Sequence, residues 1–193
     1  MPPLCHASSV KLTVCLLAIA VLLSGCGSGS GPPSAAQRPA DTARALAGAP
    51  AQLAALHQQS GRLLSGGPKA FDARVAALRG HPIVVNKWAS WCGPCRSEFP
   101  FFQRLSVQLG KRVAFIGVDA QDNDGDASSF LRRYPVTYPS YRDPDQQVAK
   151  RFEATLAFPT TAFYDARGKL TYIHQGAYAT EAKLRDDIQR YAG

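Results

Sequence analysis

The feature that most constrains this chain is a hexapeptide, Trp91-Cys92-Gly93-Pro94-Cys95-Arg96, set between a β-branched apolar run and an amphipathic stretch. Ile83-Val84-Val85, just before it, is the composition of a buried strand. After it, Phe99, Phe102, Leu105 and Leu109 fall on one face of a helix over 93–109. Two cysteines separated by two residues are ambiguous between zinc and redox chemistry. Structural zinc normally takes four ligands, and the chain has no second cysteine pair and no suitably spaced histidine pair. His57, His81 and His174 stand far apart and suit surface or packing roles, so no metal site is expected.

A strand–turn–helix setting serves thiol exchange directly. The first turn of a helix has unpaired N–H groups and a positive dipole end, and both stabilise a thiolate at Cys92. Pro94 fits the first turn because its missing N–H is not needed there, and Gly93 gives the turn room. Cys95, one turn later, is placed to attack a mixed disulfide formed at Cys92. Cys92 is therefore the expected nucleophile and Cys95 the resolving thiol, with no cofactor beyond the pair itself. The plainer alternative is a structural disulfide at a helix start.

Around this centre the pattern alternates. Leu53, Leu56, Leu63 and Leu64 predict a helix over 51–64, and Phe71, Val75 and Leu78 a second before Gly80. Residues 82–88 and 113–119 read as buried strands, 124–134 as a helix stopping before Pro135, and 138–142 and 146–152 as a short strand and short helix. Thr160–Tyr164, a turn at Asp165-Ala166-Arg167-Gly168 and Lys169–Gln175 form a hairpin, followed by a helix over 180–191. This order predicts a three-layer α/β/α sandwich. Asp122-Asn123-Asp124-Gly125-Asp126 fails the EF-hand template at Ala120 and Leu131 and reads as a loop.

The stretch from about Leu78 onward resembles the thioredoxin superfamily, and more narrowly its extracytoplasmic TlpA/ResA-type branch. The marks are Val84-Val85-Asn86-Lys87-Trp88-Ala89-Ser90 running into the hexapeptide, then Ser97-Glu98-Phe99-Pro100, Phe158-Pro159-Thr160-Thr161 and Asp165-Ala166-Arg167-Gly168-Lys169-Leu170. The resemblance implies a thioredoxin-like fold with a central βα insertion between Cys95 and Pro159, here preceded by an N-terminal helical extension. It also implies a cis bond before Pro159, packed against the cysteines, with Phe158 shaping the surface where an extended substrate docks. Trp91, Gly93 and Pro94 would share that surface, with Trp91 shielding Cys92 and Trp88 in the core. Pro100 should kink the active-site helix without touching the chemistry.

Where thioredoxin carries a buried Asp to accept the resolving thiol's proton, this chain has Asn86, which cannot titrate. In the TlpA/ResA-type branch an acid three residues after the second cysteine takes a related place, here Glu98. Cys95 and Glu98 are neighbours on one helix face. The alternative is that Glu98 only favours the early helix dipole.

The remaining cysteines lie in the N-terminal region. Leu12–Leu23 is an apolar run broken only by Thr13, with Lys11 before it; it has signal-peptide length and falls short of the roughly 20 residues of a membrane span. It ends in Leu23-Ser24-Gly25-Cys26, which resembles the bacterial lipobox and implies a lipid on Cys26. Competing readings are an incidental cysteine after an ordinary secretory leader and an uncleaved short anchor. The expected organisation is a lipoprotein signal peptide over 1–25, a flexible Gly/Ser/Pro tether over 26–50 and a thioredoxin-like domain over 51–193. With Cys5 and Cys15 removed and Cys26 lipidated, only Cys92 and Cys95 remain as free thiols, which avoids stray disulfides outside the cytosol.

The net charge is +8, and the +7 that remains once Lys11 leaves with the leader suits work beside an anionic membrane surface. No Lys/Arg run with interleaved aromatics suggests a nucleic-acid partner. The expected function is thiol–disulfide exchange with exported proteins, as a reductant for which the resemblance implies a role in cytochrome c maturation, with a membrane redox donor or acceptor as partner and anchored to the bilayer through Cys26. Alternatives are an extracytoplasmic disulfide-forming oxidase of the same fold and a non-catalytic partner-binding lipoprotein. Direction, clients, electron donor or acceptor, oligomeric state and the role of residues 51–79 are not legible in the sequence.

Overall fold

The computed structural model describes residues 39–193; Cys26, the leader and most of the expected tether lie outside the described residues. Six strands form one sheet: β1 (Leu63–Leu64), β2 (Ile83–Trp88), β3 (Ala114–Ala120), β4 (Ser140–Asp143), β5 (Thr160–Tyr164) and β6 (Leu170–Gln175). Their order is β1-β4-β3-β2-β5-β6. β1, β4, β3 and β2 run parallel, and β5 and β6 pair antiparallel beyond β2. β2 and β3 are buried at every position, as expected of central strands covered on both faces.

Alternation along β2 assigns the two faces. Val84 and Trp88 pack with Phe99, Phe102 and Leu105 of α4 (Gly93–Leu109), Phe130 of α5 (Asp124–Arg133) and Leu184 of α6 (Glu181–Asp187). Ile83 and Val85 pack on the opposite face with Leu53 and Leu56 of α2 (Ala51–His57), Phe71 of α3 (Gly67–Ala77) and Phe152 of a short 3-10 turn (Ala149–Phe152). The result is the expected three-layer thioredoxin-like fold. The β3–α5–β4 unit and the 3-10 turn fill the long stretch between Cys95 and Pro159.

Trp88 is fully buried, stacked on Phe130 at 4.8 Å, and its indole N–H donates to Ser140 Oγ at 3.1 Å. Gly117 makes that approach possible: a Cβ there would lie 2.0 Å from Ser140 Oγ.

Two expectations fail at the N-terminal side. The helix expected over 51–64 ends at His57, and Leu63 and Leu64 form an edge strand. Gly61, with φ of 65°, turns the chain and donates to Tyr138 O, and Arg62 O then accepts the Ser140 N–H. Sheet hydrogen bonds thus capture leucines whose spacing suits a helix. The segment expected as tether over 26–50 contains a helix, α1 (Pro39–Leu46), which lies against the end of α4. Its Ala-rich sequence after Pro39 is a good helix former. The pentapeptide read as a loop also opens a helix: Asn123 caps α5 by accepting the Asp126 N–H. The last helix expected over 180–191 is α6 followed by a π turn over Ile188–Ala192.

Candidate active site

Cys92 and Cys95 are joined by a disulfide, with Cα atoms 5.3 Å apart. Cys92 is the N-cap residue of α4, and its Sγ accepts the Cys95 N–H at 3.1 Å. A polar cap is used here as any serine or aspartate cap would be, but the acceptor is the reactive sulfur. Seventeen residues of helix stand behind it with Pro94 in the first turn, so the positive dipole end faces Cys92. Pro100 lies inside this unbroken helix. Arg96 is exposed.

Two loops frame the sulfurs. Trp91 is 53% exposed; its indole N–H donates to Gln121 O at 2.8 Å and its ring sits 4.9 Å from that of Phe158. The Phe158–Pro159 bond is cis, as the resemblance implies. The Asp122 carboxylate accepts both the N–H and the hydroxyl of Ser90, tying the β3–α5 loop to the residues just before Cys92. Gly93, Pro94, Trp91, Phe158 and Pro159 therefore belong to segments that meet at the start of α4.

Glu98 is fully buried on the cysteine face, one turn beyond Cys95. Its Oε1 accepts from Asn86 Nδ2 at 2.9 Å and its Oε2 from the Tyr178 N–H at 3.0 Å. Burial pushes its carboxyl up to about 7, against the pull of these two donors. Asn86 Oδ1 has no partner. An amide that turns over offers N–H to a carboxylate and oxygen to a carboxylic acid, so Asn86 can serve either form of Glu98. The acid thus sits where a proton can be held beside Cys95 near neutral pH. Tyr138 is buried close by, and burial together with the Glu98 charge pushes its phenol well above its ordinary range.

The Redoxin family profile matches residues 47–188. The chain belongs to the Redoxin family. This redoxin is 29% identical over 105 residues to the thiol-disulfide oxidoreductase ResA of Oceanobacillus iheyensis, covering 54% of each protein. It is 35% identical over 101 residues to the thiol:disulfide interchange protein DsbE of Xylella fastidiosa, covering 52% of this chain and 50% of that one. The chain thus spans about half the length of these curated relatives. Among solved structures, MTB dsbF, in its mixed oxidized and reduced forms, superposes with a TM-score of 0.54 at 29% identity, over 59% of this redoxin and 83% of that chain.

Several supporting groups of this redoxin escape sequence reading. Asn86 is legible as a residue that cannot titrate, but not as the Glu98 donor. Tyr178 reaches Glu98 through its backbone N–H, which no side-chain pattern announces. Asp122, within the acidic run, holds Ser90. Lys87, inside an apolar strand run, is fully buried, and its ionisable head was the one available signal. Among the described residues, no group of three or more His, Cys, Asp or Glu side chains is arranged to hold a metal.

Proposed function

We propose that this redoxin is an extracytoplasmic thiol:disulfide oxidoreductase that reduces disulfides of exported proteins without a separate cofactor. The observation that carries the reading is the Cys92–Cys95 disulfide at the head of α4 with the buried Glu98 carboxyl one turn behind. Starting from the dithiol, the Cys92 thiolate attacks one sulfur of a client disulfide. The client S–S bond breaks, a Cys92–client mixed disulfide forms, and the other client sulfur leaves as a thiolate. Cys95 gives its proton to Glu98 and attacks Cys92 Sγ, releasing the second client thiolate and closing the Cys92–Cys95 bond. Two electrons have moved to the client, and a membrane-side dithiol donor must return them for the next cycle.

Trp91, Gly93, Pro94, Phe158 and Pro159 form the surface where the client strand lies in this reading. The leader and Cys26 support anchoring to the outer face of the cell membrane, where cytochrome c precursors are a client class suggested by the TlpA/ResA-type resemblance. Treating intact cells with a lipoprotein-signal-peptidase inhibitor should leave a larger precursor; an unshifted band would refute the anchor.

The Gly-Pro dipeptide between the cysteines favours reduction. Thioredoxin has a potential near −270 mV and DsbA one near −120 mV. Titrating the purified protein against dithiothreitol and glutathione buffers should give a value nearer the former. A potential above about −180 mV would overturn the reductant direction in favour of an oxidase.

A further inference from the structure

Lys87 is an anomaly of the central strand. Ile83, Val85 and Lys87 leave β2 on the same face, and the first two enter the apolar layer against α2 and α3. Lys87 enters it as well and is fully buried. A cation in such a place is retained only where partners compensate its lost hydration.

Its hydrogen-bond and ring partners come from one stretch of chain, the connection from β4 to β5. The ammonium donates to Gln146 Oε1 at 3.0 Å and to the Ala154 carbonyl, and it lies 3.7 Å from the centre of the Phe158 ring. Gln146 has φ of 55°, and Glu153, just before Ala154, has φ of 54°; both are left-handed positions without glycine. Such backbone is unfavourable by itself and persists where surrounding contacts hold it. Burial lowers the ammonium to about 8 while Asp143 pulls the other way, so the group is mostly charged at neutral pH.

Two of the contacts bracket a short segment. Ala154 is at one end and Phe158 at the other, and between them Leu156 is 90% exposed. With Trp91, it is one of two exposed large hydrophobic residues among the described residues. The Phe158 ring that Lys87 holds from below is the one that meets Trp91 beside Cys92.

We propose that Lys87 is a positioning residue that fixes the 154–158 segment, so that Leu156 and Phe158 present an apolar edge to an extended, apolar stretch of client next to its cysteine. This rests on the reading of Phe158 and Trp91 as the docking surface. Lys87 touches neither sulfur nor client; its effect passes through the Phe158 ring and the Ala154 carbonyl.

The test is steady-state reduction of insulin by the full chain with dithiothreitol as electron donor. Lys87→Met keeps the length of the stem and removes the charge. It should raise KM for insulin about fivefold, the loss carried by a cation–π contact of about 1 kcal/mol, with kcat changed less than about twofold. Lys87→Arg should bring KM back to within about twofold of the parent, because a guanidinium still donates and still stacks on a ring. An unchanged KM in Lys87→Met, a loss confined to kcat, or an arginine variant as impaired as the methionine one would each overturn the proposal. Should Lys87→Met not fold, Gln146→Ala removes one partner of the ammonium and should raise KM about twofold; an unchanged KM there would overturn the proposal equally. A parent protein unable to reduce insulin would sink the underlying reading and this inference with it, whereas an active parent with unaffected variants sinks the inference alone.

Discussion

Asn86 and Lys87 are adjacent in β2, yet their side chains serve opposite faces of the sheet, and the two faces treat buried charge differently. On the cysteine face Asn86 meets Glu98, a carboxyl pushed up to about 7 with two donors aimed at it. On the other face Lys87, lowered to about 8, meets an amide oxygen, a carbonyl and an aromatic ring. Desolvation moves both groups toward neutrality, so burial alone does not separate their roles. Their neighbours do. Glu98 stands one turn from a sulfur that must lose a proton, while the groups that accept from the Lys87 ammonium and the ring it covers belong to a loop that frames the site.

The comparison is tested most severely by pH. Glu98 has a higher pKa folded than unfolded, so the folded chain binds its proton more tightly. That contribution to stability is complete below about pH 4.5 and is lost as pH rises through 7, a change of roughly 3 kcal/mol. Lys87 has the opposite slope: its folded pKa lies below its unfolded one, so stability is lost as pH falls from 10.5 through 8. Urea midpoints of the oxidised protein should therefore contain a falling limb that Glu98→Gln removes and a rising limb that Lys87→Met removes. Limbs that survive the matching substitution would break the comparison.

Kinetics sharpen it next. Glu98→Gln should slow insulin reduction on the order of 10²-fold at neutral pH and abolish an inflection near pH 7, as loss of a general base requires. The rate of the parent should rise with pH through that inflection, because the carboxylate is the form that accepts the proton. A retained inflection would reduce Glu98 to a helix-dipole partner.

A smaller effect is expected at the loop that holds Ser90. Asp122→Ala removes a carboxylate accepting both Ser90 donors and should lower stability by about 2 kcal/mol in urea unfolding. The smallest belongs to a solvent-facing ion pair between α3 and the 3-10 turn. Asp72 and Arg151 are about half exposed at 3.0 Å, and Asp72→Asn should cost no more than about 0.5 kcal/mol by the same measurement.

What was legible in the chain follows from where the forces are local. α4 begins and ends as the periodicity predicts because its early proline and its apolar face lie within its own seventeen residues and its cap, Cys92, immediately precedes them. The β-branched run of β2 and the turn of the β5–β6 hairpin are likewise written in their own segments, and Glu98 is singled out by the TlpA/ResA-type resemblance, three residues past Cys95. Leu63 and Leu64 mislead because partners far along the chain, at Ser140 and Tyr141, decide their conformation. Tyr178, eighty positions from Glu98, donates through its backbone, which side-chain identity does not encode. Lys87 was hidden differently: a strand buried on both faces gives no alternation, so nothing marks which face a single charge enters.

The most direct test of the exchange account is covalent trapping. Reduced Cys95→Ser protein mixed with insulin should accumulate a disulfide adduct that peptide mass spectrometry maps to Cys92, while reduced Cys92→Ser protein should accumulate none. An adduct on Cys95 with Cys92 absent, or no adduct on either variant, would contradict the assignment of the helix-capping sulfur as the attacking atom.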